Sequence, residues 1–348
     1  MATEAETLHI PWCDPPSEGQ ATEVADGVLW MRLPLPMALD HVNVYALDEG
    51  TGWTIVDTGL RTPRSIEIWD ALLKGPLGGK PILRVFVTHH HPDHVGMAGW
   101  MMERFGAELC MSRTAYLMAR MLILDVEDTP TPQALSFWRR AGMDTDIFEA
   151  RKLQRPFNFA DACAALPLGY TRLRDGDVFH AGGRTWDVHV GDGHAPEHLT
   201  LWGRDEPLVI AGDQIISSIS PNIGVYPTEP EADPVRDWLE SCDRLAGFAR
   251  DDQLVLSGHK LPFRGLPFRM QQLTENHRNA LERLEAHLSV PRRAAECFAP
   301  LFKRRIDSGT YGLALVEAVA HLNHLYQAGR ICRMMGDDDA WLWQRKGQ

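Results

Sequence analysis

Paired cysteines are missing from this chain. Its six, Cys13, Cys110, Cys163, Cys242, Cys297 and Cys332, stand singly with no CxxC spacing, which argues against a disulfide framework or a thiolate metal site and fits reduced, buried thiols. Long apolar runs are missing too. No stretch approaches the ~18 apolar residues of a membrane span, and the opening Met1-Ala2-Thr3-Glu4-Ala5-Glu6-Thr7 has neither the basic end nor the apolar stretch of a secretory leader. The expected location is therefore the cytoplasm. Positive charge is in deficit: 35 Lys and Arg face 47 Asp and Glu, a formal net charge of -12, and such a surface disfavours non-specific binding to nucleic acid or an anionic membrane.

What is present is ordinary globular chain, 348 residues with 44% hydrophobic and 24% charged, enough for a large core with a smaller second domain. Residues 1–22 read as a polar, proline-bearing arm. Strand patterns follow at 28–31, 42–47 and 53–56, a helix at 62–74, a strand before residue 88 and a helix from Val95 toward Phe105. This alternation predicts an α/β layered domain over residues 23–268. Within it, residues 113–167 form a helical insertion rich in Met and aromatics (Met118, Met121, Phe137, Trp138, Met143, Phe148). That insertion reads either as satellite core or a homodimer contact, or as a cap over a pocket lined by adaptable Met side chains. Strands return at 186–190, 199–202, 208–210 and 253–256. Residues 269–348 read as a small helical domain with helices at 270–287, 292–303 and 312–327.

One stretch carries chemistry: Thr88-His89-His90-His91-Pro92-Asp93-His94 follows the apolar run Ile82–Val87. Crowded imidazoles and carboxylates have no packing advantage, but they are good ligands for a divalent cation. Alternation at a strand end sends His89 and His91 to one side, and the following turn brings Asp93 and His94 to a neighbouring point, so that each pair could hold one ion. Three more candidates stand just beyond apolar strands, each beside glycine: His194 (Gly193-His194), Asp213 (Gly212-Asp213) and His259 (Gly258-His259). The other histidines, His277, His287, His321 and His324 among them, read as surface or satisfied core residues.

The ordered set HxHxDH, Gly-His, Gly-Asp and Gly-His, with Val56-Asp57-Thr58-Gly59 upstream, resembles the metallo-β-lactamase superfamily, nearest its glyoxalase II-like hydrolases, over about residues 22–265. The resemblance implies a four-layer αβ/βα sandwich of two mixed sheets with metals at one edge. It also implies that His89, His91 and His194 bind one metal, that Asp93, His94 and His259 bind the other, and that Asp213 bridges them. By the same likeness Asp57 and His198 support the ligands from outside, and His90 points away. Superfamily members that reduce oxygen at two irons carry Glu where His91 stands, and true β-lactamases carry Cys where Asp213 stands; neither change is present. Two zinc ions are therefore favoured, with iron or manganese as alternatives.

The reaction expected is hydrolysis of a small-molecule acyl bond, a thioester first and a lactone or other ester second, with Asp93 orienting the attacking water or taking its proton. His41 and Tyr226 are candidate substrate contacts. The tail resembles the winged-helix appendage of some members, which makes phosphodiester or RNA cleavage the rival. Against it, residues 271–348 hold 11 Lys and Arg to 9 Asp and Glu, too balanced for a phosphate-binding face. A metal-binding module without catalysis is the third reading. Nucleic acid and membrane are not expected partners.

Overall fold

The protein is described by a computed structural model covering residues 7–302 and 304–347. Two compact units emerge. The first comprises the described residues up to Val126 together with Asn158–Pro221 and Leu245–Met270; the second comprises Glu127–Phe157, Asn222–Arg244 and the described residues from Gln271 onward.

The first unit is built on two mixed sheets. One runs β1 (Thr22–Ala25), β2 (Val28–Pro34), β3 (His41–Asp48), β4 (Trp53–Val56), β5 (Ile82–Phe86), β6 (Glu108–Met111) and β7 (Thr171–Arg172) in spatial order. It is antiparallel up to β4 and parallel from β4 to β7. The other contains β8 (Val178–Ala181), β9 (Arg184–Gly191), β10 (His198–Gly203), β11 (Leu208–Gly212) and β12 (Leu254–Ser257), with only β11 and β12 parallel.

Period-2 alternation explains how the sheets layer. On β2 and β3, Val28, Trp30, Tyr45 and Leu47 turn to one face, where they pack with Trp186, Val188, Leu199, Leu201 and Ile210 of the second sheet. Met31, Leu33, Val42 and Val44 turn to the other face, against α1 (Pro63–Lys74), α3 (Ala98–Phe105) and α4 (Arg113–Leu124) through Trp69, Leu72, Met101, Ala115 and Ala119. Burying that many large side chains at roughly 25 cal/mol per Å² is the main force holding the sheets together. A four-residue turn of helix, α2 (Pro92–Val95), precedes α3. The α/β sandwich of two mixed sheets expected from the sequence is the fold found.

The second unit contains α5 (Pro132–Arg140), α6 (Thr145–Lys152), most of α7 (Pro234–Ala246), α8 (Leu266–His287) beyond Met270, α9 (Phe298–Leu301), α10 (Tyr311–Gln327) and a hairpin of β13 (Ile331–Met335) with β14 (Trp341–Arg345). Its boundaries differ from the sequence-based ones. The 113–167 insertion is divided: α4 packs into the first unit, whereas α5 and α6 join the C-terminal segments. The Asp144 N–H donates to the Tyr311 hydroxyl at 2.9 Å, and the Arg140 guanidinium lies over Trp341. Residues 222–244 belong there as well, through Val225 N–H to the Val316 carbonyl at 3.1 Å and Asn323 Nδ2 to the Pro230 and Ala232 carbonyls at 3.0 Å. The helix expected over 292–303 is a 3-10 turn (Ala294–Cys297) running into short α9. The hairpin of β13 and β14 lies beyond the last helix expected from the sequence.

Candidate metal centre

Each ligand candidate sits at or just beyond the end of a strand. Asp57 follows β4, His89 and His91 follow β5, Asp93 and His94 lie on α2, His194 lies between β9 and β10, Asp213 follows β11, and His259 is two residues past β12. Strand ends deliver side chains to one edge while the strands stay rigid. Here they converge: His89, His91 and His194 form one group, His89, His94 and Asp213 a second, and Asp93, His94 and His259 a third, the ligand atoms of each lying within 4.8 Å of one another.

Hydrogen bonding fixes which nitrogen of three rings faces inward. The Thr88 hydroxyl donates its single proton to the Asp57 carboxylate, 2.9 Å away at Oδ2, so at 3.0 Å it can only accept from His89 Nδ1. His94 Nδ1 donates to Asp57 Oδ2 at 2.8 Å, and His259 Nδ1 to the His41 carbonyl at 2.7 Å. All three therefore turn Nε2, the nitrogen left to serve a cation, to the centre. His89 Nε2 comes within 2.9 Å of His91 Nδ1. His94 Nε2 stands 3.4 Å from Asp213 Oδ1, and His259 Nε2 stands 3.1 Å from Asp213 Oδ2 and 3.4 Å from Asp93 Oδ2. Asp213 Oδ2 also lies 3.6 Å from His194 Nε2, so this carboxylate faces both histidine groups.

The centre is buried and gathers the Asp57, Asp93 and Asp213 carboxylates about its histidines. His94 Nε2 and Asp213 Oδ1 have no hydrogen-bond partner among the described residues, a costly arrangement for buried polar atoms unless something binds between them. Burial pulls His94 and His259 toward neutrality, but the surrounding carboxylates outweigh it: Asp213, Asp57 and Asp93 hold His94 well above its ordinary pKa, and Asp213 and Asp93 push His259 up to about 10. His89, with histidines for neighbours, is held well below by burial and by His94. Inward Nε2 atoms, paired carboxylates and unsatisfied buried atoms together fit divalent cations with nitrogen and oxygen ligands.

The surrounding residues hold this arrangement. Asp57 adopts φ +57°, a left-handed conformation that Asp tolerates better than most residues, and from it also accepts the Thr88 N–H at 2.8 Å. His198 Nε2 accepts the Asp213 N–H at 3.1 Å. Gly258 is required by close approach, since a Cβ there would stand 2.2 Å from Asp213 Oδ1. Asn43 Nδ2 and the Tyr45 hydroxyl both donate to the Ser257 carbonyl, at 2.9 and 2.7 Å, and pin the strand end that carries His259. Thr88, Asn43 and Tyr45 were not singled out from the sequence. The only signal there was the polar Thr88 directly before the histidines.

His90 is buried, lies near-parallel to Phe159 and falls in none of the three ligand groups. His41 is buried beside the centre with both ring nitrogens engaged: Nδ1 with Asp40, and Nε2 accepting the Lys260 N–H at 3.1 Å. Its carbonyl, not its ring, bears on the centre. Tyr226 belongs to the second unit, where it is 44% exposed. Among the described residues no helix is long and apolar enough to cross a membrane.

The C-terminal residues 281–346 match the model of the metallo-beta-lactamase-like C-terminal domain. A crystal structure of a beta-lactamase domain protein from Burkholderia ambifaria is 36% identical, with a TM-score of 0.88 over 97% of this chain and 98% of that one. A probable metallo-hydrolase of Bacillus subtilis, YqjP, is 25% identical over 86% of this chain and 92% of its own. A linear primary-alkylsulfatase of a Pseudomonas species is 26% identical over 60% of this chain and 39% of its own. Residues 37–286, which include the whole ligand set, match the model of the metallo-beta-lactamase superfamily, and the chain belongs to that superfamily as a metallo-hydrolase.

Proposed function

We propose that this metallo-hydrolase cleaves an acyl bond of a small molecule, a thioester first and a lactone or other ester second, using two divalent cations with zinc foremost. The observation that carries the hydrolytic reading is the convergence of three inward-facing Nε2 atoms on the Asp93 and Asp213 carboxylates. His89, His91 and His194 would hold one cation and Asp93, His94 and His259 the other, with Asp213 serving both. Such cations, when bound, make water acidic enough to act as a nucleophile near neutral pH and polarise the oxygen of the bond under attack.

The chain's own part is to orient and to move protons. Asp57 and Thr88 keep His89 and His94 in the Nδ1–H form, and the His41 carbonyl does the same for His259. Asp93 is the more exposed of the two central carboxylates, at 18% against 8% for Asp213. It turns Oδ2 toward His94 and His259, which leaves Oδ1 to orient the attacking water and take its proton. An acyl substrate suits a chain whose formal net charge is -12, which disfavours a phosphodiester backbone. The acyl assignment itself rests on likeness to glyoxalase II-like hydrolases.

The alkylsulfatase relative supports a second reading, hydrolysis of a sulfate ester. The test is metal analysis joined to a panel of thioesters, lactones, an alkyl sulfate and bis-p-nitrophenyl phosphate, with and without chelator. Chelator-sensitive turnover of a thioester or lactone supports the proposal. Preference for the alkyl sulfate or the phosphodiester replaces the acyl substrate, and full metal loading without turnover of any of them favours a binding module.

A further inference from the structure

The loop 192–197, which carries His194, closes on a residue that plays no part in the ligand set. Glu197 adopts φ +48°, a left-handed conformation that strains a residue with an ordinary side chain and suits Gly or Asn better. Its N–H and both carboxylate oxygens are engaged. The Glu197 N–H donates to Asp192 Oδ1 at 2.7 Å and so closes the loop on itself. Oε2 accepts the Thr114 N–H at 2.6 Å, and Oε1 faces the Arg172 guanidinium at 3.8 Å.

Thr114 lies in the first turn of α4, a helix of 12 residues. The cap residue Ser112 uses its hydroxyl on Ala115 N–H, which leaves the Thr114 N–H in need of an acceptor. The Glu197 carboxylate supplies it and meets the positive end of the helix. Burial works to raise the pKa of Glu197, but the Thr114 backbone and side chain and Arg172 outweigh it and keep the carboxylate ionised below its ordinary range. A residue in a strained conformation thus ties the His194 loop to a helix packed in the core of the same unit.

We infer that Glu197 is a positioning residue for His194: by anchoring the 192–197 loop to the α4 N-terminus, it sets the affinity of the cation held with His89 and His91. This rests on the reading of those three histidines as one ion's ligands. Loss of the tether leaves His89 and His91 in place after β5 and frees only the third ligand. The Asp93, His94 and His259 group, held by Asp57 and the His41 carbonyl, does not depend on it.

Zinc titration of the full chain against a chromogenic chelator, read together with the thermal midpoint of the metal-free protein, tests this. Glu197→Asn suits a positive φ but is one methylene too short to reach Thr114; Glu197→Gly is at ease there and has no side chain at all. Both are expected to leave metal-free stability unchanged or higher, to weaken one of the two zinc sites by ~10-fold or more, and to leave the other within about threefold. Glu197→Gln, whose amide oxygen can still accept from Thr114, is expected to restore both sites to within about threefold. Unchanged affinity at both sites, or equal weakening of both in step with a loss of metal-free stability, would overturn the inference. An unmutated chain that takes up no zinc would instead overturn the reading of the centre itself.

Discussion

Both units bury a cluster of histidines, and the two clusters are organised in opposite ways. In the first unit His89, His94 and His259 give their Nδ1 protons outward, to Thr88, Asp57 and the His41 carbonyl, and turn their Nε2 atoms inward to carboxylates. In the second, His321 Nδ1 donates to the Glu317 carbonyl at 2.8 Å, which leaves its Nε2 to accept from His277 Nδ1 at 3.1 Å. The His321 lone pair is taken by His277, and His277 Nε2, without a hydrogen-bond partner among the described residues, belongs to no group of converging ligand atoms. His324 turns instead to Asp233 at 3.0 Å. Burial and residue type are shared; direction and charge are not. Asp213 and Asp93 push His259 up to about 10, whereas burial brings His277 down to about 3 and His321 to about 4. A histidine cluster is built for a cation only where its ligand nitrogens converge on acids.

The strongest way to break the comparison is to remove a converging ligand. Asp213→Ala or His91→Ala should lose bound metal and fall below ~1% of wild-type turnover, while His277→Phe should retain both; metal content and hydrolysis rates measured side by side decide it. Next in size is the support beneath the ligands. Asp57→Asn takes the acceptor for His94 Nδ1–H out of its charged form, and metal affinity should fall ~10–100-fold, measured by chelator competition.

The two clusters should also answer to pH with opposite sign in the metal-free protein. Because His259 has its pKa raised to about 10 when folded, its charged form adds stability that is fully present below its unfolded pKa and is lost as pH rises through about 10. The stability gap between wild type and His259→Gln should therefore shrink from pH 7 to pH 10 in denaturant titrations. His277 and His321 have lowered values, so on acidification the unfolded chain takes up protons first and stability falls from about pH 6.5 toward pH 3. Glu317, pushed up to about 7 by burial, opposes this: it holds its proton when folded and favours the folded state as pH falls from about 7 to 4.5. The smallest expected effect is the net one: between pH 7 and 5, His277→Phe should lose about 2 kcal/mol less stability than wild type.

The centre was legible because its chemistry demands particular residue types at strand ends. His89-His90-His91-Pro92-Asp93-His94 cannot be rationalised as packing, and the glycine beside Asp213 and His259 marks backbone that comes too close for a side chain. The strands of the first unit and an α/β layered domain were legible from local pattern, whereas the sandwich of two mixed sheets was implied only by the family resemblance that the ligand motifs carry. The second unit was not, because it is assembled from three separated segments, and no local pattern tells α5 and α6 that their partners lie beyond residue 270. The role of Glu197 was hidden for the same reason: its partner Thr114 stands far away in sequence, and the strain at φ +48° has no signature in composition. His41 is a candidate substrate contact in the sequence because its segment borders the ligands, and in the structure its ring bonds to Asp40 and the Lys260 N–H.

The most direct measurement of the central claim is the number of metal ions bound per chain, followed through stripping and reloading while turnover of the best acyl substrate is recorded. Two divalent ions per chain, activity lost on stripping and regained on reloading are the predicted results. Undiminished turnover by fully stripped protein would contradict the account.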